Sequence, residues 1–260
     1  TRKDGSDLSL SDGFIITVLF WLVLSLFGAL PFYFLGFSFV DSLFESMSGI
    51  TTTGATVFSG LDELDKSVLI YRQLLQWMGG MGLVVLAIAV MPLLGIGGGQ
   101  LFKTQTPGAM SNQKLTPRIT NTARALWLIY LGLTILCLSS YKLAGMSFFD
   151  SFAHALSTVS IGGFSTHDAS IGFFNNINIE IVCMVFMILS AINFSLHYGL
   201  IYRKQFLKYF YDPELRFFLS ILFLITTVVC ISLFTLTDIA SPLRYGIFQS
   251  VSIVTTTGFL

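Results

Sequence analysis

Charge is scarce in this sequence. Only 11% of its 260 residues are Asp, Glu, Lys or Arg, where a soluble domain carries about 25%. So little charge cannot cover a water-facing surface. With 54% of residues hydrophobic, a soluble globular protein is excluded and a multi-span membrane protein is expected. Neither sign of charge is in excess: 14 basic residues balance 14 acidic ones. No basic domain exists to hold nucleic acid, which is therefore not an expected partner. Cysteine is nearly missing. Cys137, Cys183 and Cys230 stand alone inside apolar runs, with no pair at ligand spacing, so neither a disulfide framework nor a metal cluster is expected. They read as small apolar fillers between helices. A cleavable signal peptide is also lacking.

What the chain does have is one short stretch written three times. Asp41 to Ala55, Asp150 to Phe164 and Tyr245 to Phe259 align without gaps on Gly54, Gly163 and Gly258. A serine stands six residues before each glycine: Ser48, Ser157 and Ser252. An apolar run precedes each copy. A repeat of this kind marks a repeated structural unit.

Taken in order, Phe14 to Phe37 is apolar and long enough to cross about 30 Å of hydrocarbon, with Pro31 expected to kink its outer end. Ser38 to Gly49 is only long enough to reach about half-way. It must enter the membrane and return, along Ile50-Thr-Thr-Thr-Gly-Ala-Thr. Val68 to Leu94 is the next span, and Gly79-Gly80-Met81-Gly82 inside it allows close backbone approach. Gly97-Gly98-Gly99 and a basic linker follow. Ala123 to Leu143 crosses, Phe148 to Thr158 is the second half-length helix, and Ile177 to Tyr202 is expected to cross as one helix. Asp212-Pro213 opens a helix whose span is Phe217 to Leu236. Ser241-Pro242 opens the third half-length helix, since proline is tolerated in a first turn.

The fold expected is an all-α membrane protein of repeated span–pore helix–span units, with five crossings and three re-entrant segments. Two units are complete and a third is partial. The divisions are a cytoplasmic segment at 1–13, a first unit at 14–98, a cytoplasmic linker at 99–122, a second unit at 123–205 and a third at 206–260. Thr1 to Asp12 is polar, and the third copy stops one residue after Phe259. The sequence is therefore expected to be a piece of a longer protein.

Lys and Arg gather on the cytoplasmic side of membrane proteins. Here Arg2, Lys3, Lys103, Lys114, Arg118, Arg124, Arg203, Lys204, Lys208 and Arg216 share one side, while Lys66, Arg72, Lys142 and Arg244 share the other with most of the acids. The half-helices and their loops should face outward, with the N-terminal end in the cytosol. Asp62, Glu63, Asp65, Asp168 and Glu180 would raise the cation concentration at the mouth, though each alone reads as a solvated loop charge.

Non-helical backbone inside a membrane is tolerated only where protein or a water-filled path satisfies its carbonyls. A permeating cation is such a partner. Three Thr-x-Gly-like loops around one axis would make rings of carbonyl oxygen, which can replace the hydration shell of an alkali ion. The glycines permit φ > 0, so that successive carbonyls turn one way. The half-helices run inward, so their negative C-terminal ends favour a cation. No carboxylate lies in the loops, and hard oxygen donors suit alkali ions. Glu45, His154 and Gln249 are equivalent positions on the half-helices and read as braces behind the loops. Thr51, Ser160 and Thr255 are expected to support the loops from their bases. His167 reads as an outer-mouth residue. Asn193 and His197 are four apart on one helix face, either lining an inner vestibule or bonding a neighbouring helix. No enzyme is expected: Met47-Ser48-Gly49 lacks the glycine two before the serine that an intramembrane hydrolase motif requires, and the serine recurs in all three copies.

Four stretches resemble the Trk/Ktr/HKT superfamily of potassium transporters: Phe44-Glu-Ser-Met-Ser-Gly-Ile-Thr-Thr-Thr-Gly-Ala-Thr, Leu75-Gln-Trp-Met-Gly-Gly-Met-Gly, Lys114-Leu-Thr-Pro-Arg, and Ser157-Thr-Val-Ser-Ile-Gly-Gly-Phe-Ser-Thr-His-Asp-Ala-Ser. The resemblance covers essentially the whole chain. It implies four units around a pseudo-fourfold pore, with filter glycines at Gly54, Gly163 and Gly258. It implies K+ ligation by the carbonyls of Thr52, Thr53, Ile161, Gly162, Thr256 and Thr257. It implies potassium uptake across the bacterial inner membrane, a homodimer in lipid, and a cytoplasmic ring of TrkA-type nucleotide-binding regulatory subunits that gates the pore. No organic cofactor is implied. The sequence departs from the pattern in lacking the second span of unit three and all of unit four, so no gate residue can be assigned. The alternative is an ion-coupled symporter carrying potassium with a proton or sodium, for which His197 is the visible titratable candidate.

Overall fold

The computed structural model describes residues 10–90, 115–236 and 241–260. Residues 1–9 of the N-terminal segment, Leu94, Gly97 to Gly99, and the linker cations Lys103 and Lys114 lie outside the described residues, as does the unit boundary at 98–99.

The first unit opens with α1 (Leu10–Phe34), which runs one turn past Pro31 and ends three residues before the expected Phe37. Its C-terminus closes where the Phe37 amide donates back to the Phe32 carbonyl (3.3 Å) around Gly36, at φ 99°. Ser38 then starts α2 (Phe39–Ile50): the Asp41 amide donates to Ser38 Oγ at 3.1 Å, satisfying one of the four orphan amides of a helix start. The second unit repeats this construction. α4 (Leu115–Leu143) ends with the Met146 amide on the Tyr141 carbonyl (3.1 Å). Ser147 caps α5 (Phe148–Val159) through the Asp150 amide at 3.0 Å. Both half-helices have 12 residues, about 18 Å of helix.

Between them runs α3 (Lys66–Val90), which packs on both α2 and α5. A Cβ placed on Gly79 would strike the Ile50 carbonyl, so only glycine admits the C-terminus of α2 there. Among the described residues, three helices are long and apolar enough to cross a membrane: Thr17–Phe34, Ala123–Leu143 and Pro213–Thr235. The count of five crossings is not met by length and apolarity alone. α3 is 25 residues long but carries Arg72, Gln73 and Gln76 on its buried face.

The expected single helix from Ile177 to Tyr202 is broken. α6 (Ile177–Ala191) and α7 (Phe194–Arg203) meet at 89°. The break lies at Asn193, which caps α7 by accepting the Ser195 amide at 3.0 Å. Asn favours such caps over helix interiors. His197 Nε2 donates to the Leu189 carbonyl at 2.9 Å, giving a partner to one acceptor that the break exposes. Asn193 and His197 therefore do not share a helix face. One caps the break and the other straps it. A short helix, α8 (Phe206–Tyr211), leads to α9 (Pro213–Leu236). The third half-helix, α10 (Pro242–Val254), has its proline in the first turn.

Three apolar cores lie among the described residues, the smallest of them Ile192, Tyr209 and Leu215 beside the helix break. Phe32, Ile50, Phe58, Leu61, Val68 and Leu75 join the first unit's elements. Tyr141, Cys183, Met187, Phe248, Val251 and Phe259 join the second unit to α10. Large apolar residues of α1 and α9 face outward, Phe27 at 67% and Phe223 at 76% exposure, as lipid-facing helices should.

Candidate functional site

Each half-helix ends in the same backbone path. Thr51, Ser160 and Thr255 close the helices in right-handed conformation. The next residue in each copy is left-handed: Thr52 (φ 56°), Ile161 (φ 51°) and Thr256 (φ 63°). Two residues later the glycine is left-handed again: Gly54 (78°), Gly163 (81°) and Gly258 (84°). This path turns away from the helix while the amides of Thr53, Gly162 and Thr257 donate to Ser48, Ser157 and Ser252 carbonyls at 2.9–3.0 Å. Three non-glycine residues at positive φ are a strained choice, and their recurrence at one register marks the loops as specified rather than slack.

The three loops meet. A Cβ on Gly54 would strike the carbonyl oxygen of Gly162 and lie 3.5 Å from that of Thr257. A Cβ on Gly163 would strike the Thr257 carbonyl. The glycines of the first two loops thus receive the carbonyl edge of the next loop, and any side chain there would push that oxygen aside. Gly258 meets no heavy atom within 4 Å. Threonine hydroxyls support the loops from their bases. Thr51 Oγ1 donates to the Met47 carbonyl (2.7 Å) and lies 2.8 Å from Thr53 Oγ1, and Thr255 repeats this with Val251 (2.8 Å) and Thr257 (2.8 Å). Ser160 Oγ donates to the Ser157 carbonyl at 3.1 Å.

Behind the loops lies a buried polar layer. Glu45 is fully buried; its carboxylate accepts from Thr56 Oγ1 (2.9 Å), the Val57 amide (3.2 Å) and Arg72 Nε (2.7 Å). Arg72, also fully buried, donates onward to the Ser165 carbonyl at 3.1 Å and to Thr56 Oγ1 at 3.0 Å. Its guanidinium sits 4.4 Å over the Phe164 ring. Arg72 therefore ties α2 of the first unit to the loop of the second. It does not stand in an outer loop, where sequence reading counted it. His154 Nδ1 donates to the Asp150 carbonyl (2.9 Å), leaving Nε2 to accept from Ser165 Oγ (2.9 Å). Gln249 is half-buried and has no side-chain hydrogen-bond partner among the described residues.

The second missed residue is Gln76. Its Nε2 donates to the Gly162 carbonyl at 2.6 Å, and its Oε1 accepts from Ser157 Oγ (2.7 Å) and the Phe164 amide (3.1 Å). The signal was available: Arg72, Gln73 and Gln76 are polar residues on one face of a membrane helix, which points to a functional interior.

Three of the five outer acids are not simply solvated, while Glu63 and Asp65 are exposed. Asp62 pairs with His167 Nδ1, and Asp168 accepts the Leu61 amide at 3.0 Å, so the loops of units one and two are latched together. The hydrogen bond from His167 holds the Asp62 carboxyl below the usual carboxylate range. His167, stacked on Phe173, is part of this latch. Glu180 is bidentate on Arg244 at 2.6 and 2.9 Å.

The sequence profile of the TrkH family, described as a cation transport protein, matches residues 1–260. The chain is 50% identical over 263 residues to the Trk system potassium uptake protein TrkH of Halomonas elongata, covering 99% of this chain and 55% of that protein. It is 50% identical over 224 residues to the Trk system potassium uptake protein TrkG of Escherichia coli, covering 85% of this chain and 46% of that one. The crystal structure of the potassium transporter TrkH from Vibrio parahaemolyticus superposes with a TM-score of 0.85 at 46% identity, over 100% of this chain and 54% of that chain. The chain spans about half the length of the curated relatives it matches.

Proposed function

This chain belongs to the TrkH family of cation transport proteins, and from that premise we propose that it forms part of a potassium-uptake pore in the bacterial inner membrane. Potassium ions pass where the three loops meet. The carbonyls of Thr52, Thr53, Ile161, Gly162, Thr256 and Thr257 replace the ion's water, and Gly54, Gly163 and Gly258 give the backbone room to present them. The observation that carries this reading is the nesting of the Gly162 and Thr257 carbonyls against Gly54 and Gly163. A further loop from the family's fourth unit would complete the ring beside Gly258. Thr51, Ser160, Thr255, Glu45 and His154 hold the ring from behind, whereas Gln249 makes no such brace among the described residues. The N-terminal end lies in the cytosol, the protein works as a homodimer, and TrkA-type nucleotide-binding subunits gate it.

Flow down the electrochemical gradient is favoured over coupled symport. His197, the titratable candidate for coupling, uses Nε2 on Leu189 and holds Nδ1 3.4 Å from the Tyr209 hydroxyl. Both nitrogens serve the helix break. Gly54→Ser and Gly163→Ser, each in the full-length protein, test the reading through potassium and sodium uptake. Each should lower potassium selectivity by at least about tenfold, because the new Cβ displaces a carbonyl of the adjacent loop. Wild-type selectivity in both would overturn it.

A further inference from the structure

The serine that recurs six residues before each glycine makes a different contact in each copy. Ser252 Oγ donates to the Phe259 carbonyl of its own loop at 2.7 Å. Ser48 Oγ is buried without a partner among the described residues. Ser157 Oγ donates instead to Gln76, a residue of the preceding unit. Gln76 is fully buried and stands 86 positions from the carbonyl that it contacts. Its amide straddles Gly163: the nitrogen holds the carbonyl before the glycine and the oxygen holds the amide after it. A Cβ on Gly162 would run into the Gln76 amide group, so the second loop carries Gly162-Gly163 where the others carry Thr-Gly.

We propose that Gln76 is the specificity-determining positioning residue of the pore: its side-chain amide clamps the loop around Gly163 and fixes how far the Gly162 carbonyl can move toward an ion. The inference rests on the filter reading above. A carbonyl oxygen has two lone pairs, so the bond from Gln76 leaves one for a cation. A smaller ion such as sodium needs the oxygens to close inward, and a short buried bond opposes that movement. The clamp needs a donor and an acceptor at fixed separation. Leu fills the space but offers neither. Glu offers both only while protonated: its O–H donates to Gly162 and its C=O accepts from Phe164 and Ser157. Ionised, it has no proton for Gly162 and sets a negative charge against that oxygen.

The test measures potassium, rubidium and sodium uptake by the full-length protein in cells and in liposomes. Gln76→Leu should lower potassium-over-sodium selectivity by about tenfold or more, with normal amounts of protein in the membrane. Gln76→Glu should select like the wild type at acidic external pH and lose selectivity as pH rises over roughly 6 to 9, the range to which burial moves a carboxyl. A clamp that only aids folding would change the amount of transporter, not the ion ratio or its pH profile. Wild-type selectivity in Gln76→Leu overturns the proposal. Should that variant fail to reach the membrane, a pH-independent ion ratio in Gln76→Glu overturns it. Loss of selectivity in Gly54→Ser and Gly163→Ser but not at Gln76 would remove the clamp and keep the filter. Wild-type selectivity in both glycine variants would remove the filter itself.

Discussion

Where α3 meets the second loop, the contact is polar and sealed from solvent. Glu45 and Arg72 are paired with both side chains at 0% exposure, and Gln76 sits beside them. Where α6 meets α10, the contact is mostly apolar, through Cys183, Met187, Phe248 and Val251. Its ion pair, Glu180 with Arg244, stands at the rim with side chains 11% and 27% exposed. Both joints carry one helix to the half-helix and loop of the next repeat. They differ in where the charge was placed. A buried pair fixes geometry because neither partner has water to fall back on. A rim pair has water as an alternative and adds little. The first joint's polar contacts reach the loop backbone itself, at Ser165 and Gly162, whereas the second's ion pair reaches only the start of a half-helix.

Unequal losses on cutting the two joints would sharpen this contrast. Arg72→Met strands Glu45 as an unpaired buried charge and should cost about 3–5 kcal/mol, read as a fall in the thermal midpoint of the detergent-purified protein. Adding Glu45→Gln should recover much of that loss, since an apolar or neutral replacement of the whole pair is tolerated far better than half of it. Arg244→Gln at the other joint should cost far less, because a rim pair has water as an alternative. Its effect should shrink further as salt rises, because a partly exposed pair is screened. Equal losses at the two sites would end the comparison.

The outer latch should give the smallest effect, present at neutral pH and fading in acid. Asp62 has a lowered folded value because His167 hydrogen-bonds its charged form. Its contribution is therefore complete above the unfolded carboxylate value and is lost as pH falls through the lowered folded one. Asp62→Asn should lower stability slightly across the neutral range and match the wild type at the acid end, where the wild type has already lost the contribution. A variant as stable as the wild type in the neutral range would show that the latch carries no stability.

Much of this was legible from residues alone. Ser38 and Ser147 with Asp three residues on announce helix starts, and Gly54, Gly163 and Gly258 announce the turns. The three half-length helices lie within a residue or two of the expected bounds. The break at Asn193 was not read, because Ile177 to Tyr202 is apolar enough to pass for one span. The cap that decides it is a local bond competing with a helix of nearly equal merit. Arg72 was counted as an outer-loop cation for a related reason: a charge near a helix start looks solvated until its neighbours are known.

The amino-acid sequence by itself determined the all-helical membrane class, the three half-length helices and the left-handed glycines in the turns that follow them. These follow from each residue's own neighbours, through hydrophobic length, capping and steric freedom. Only the tertiary structure decided that Glu45 meets Arg72, that Gln76 meets Gly162 across 86 positions, and that Asp62 meets His167. Such pairings depend on which helices pack together. A buried polar group is stable only beside its partner, so the fold, not the local residue pattern, selects what that partner is.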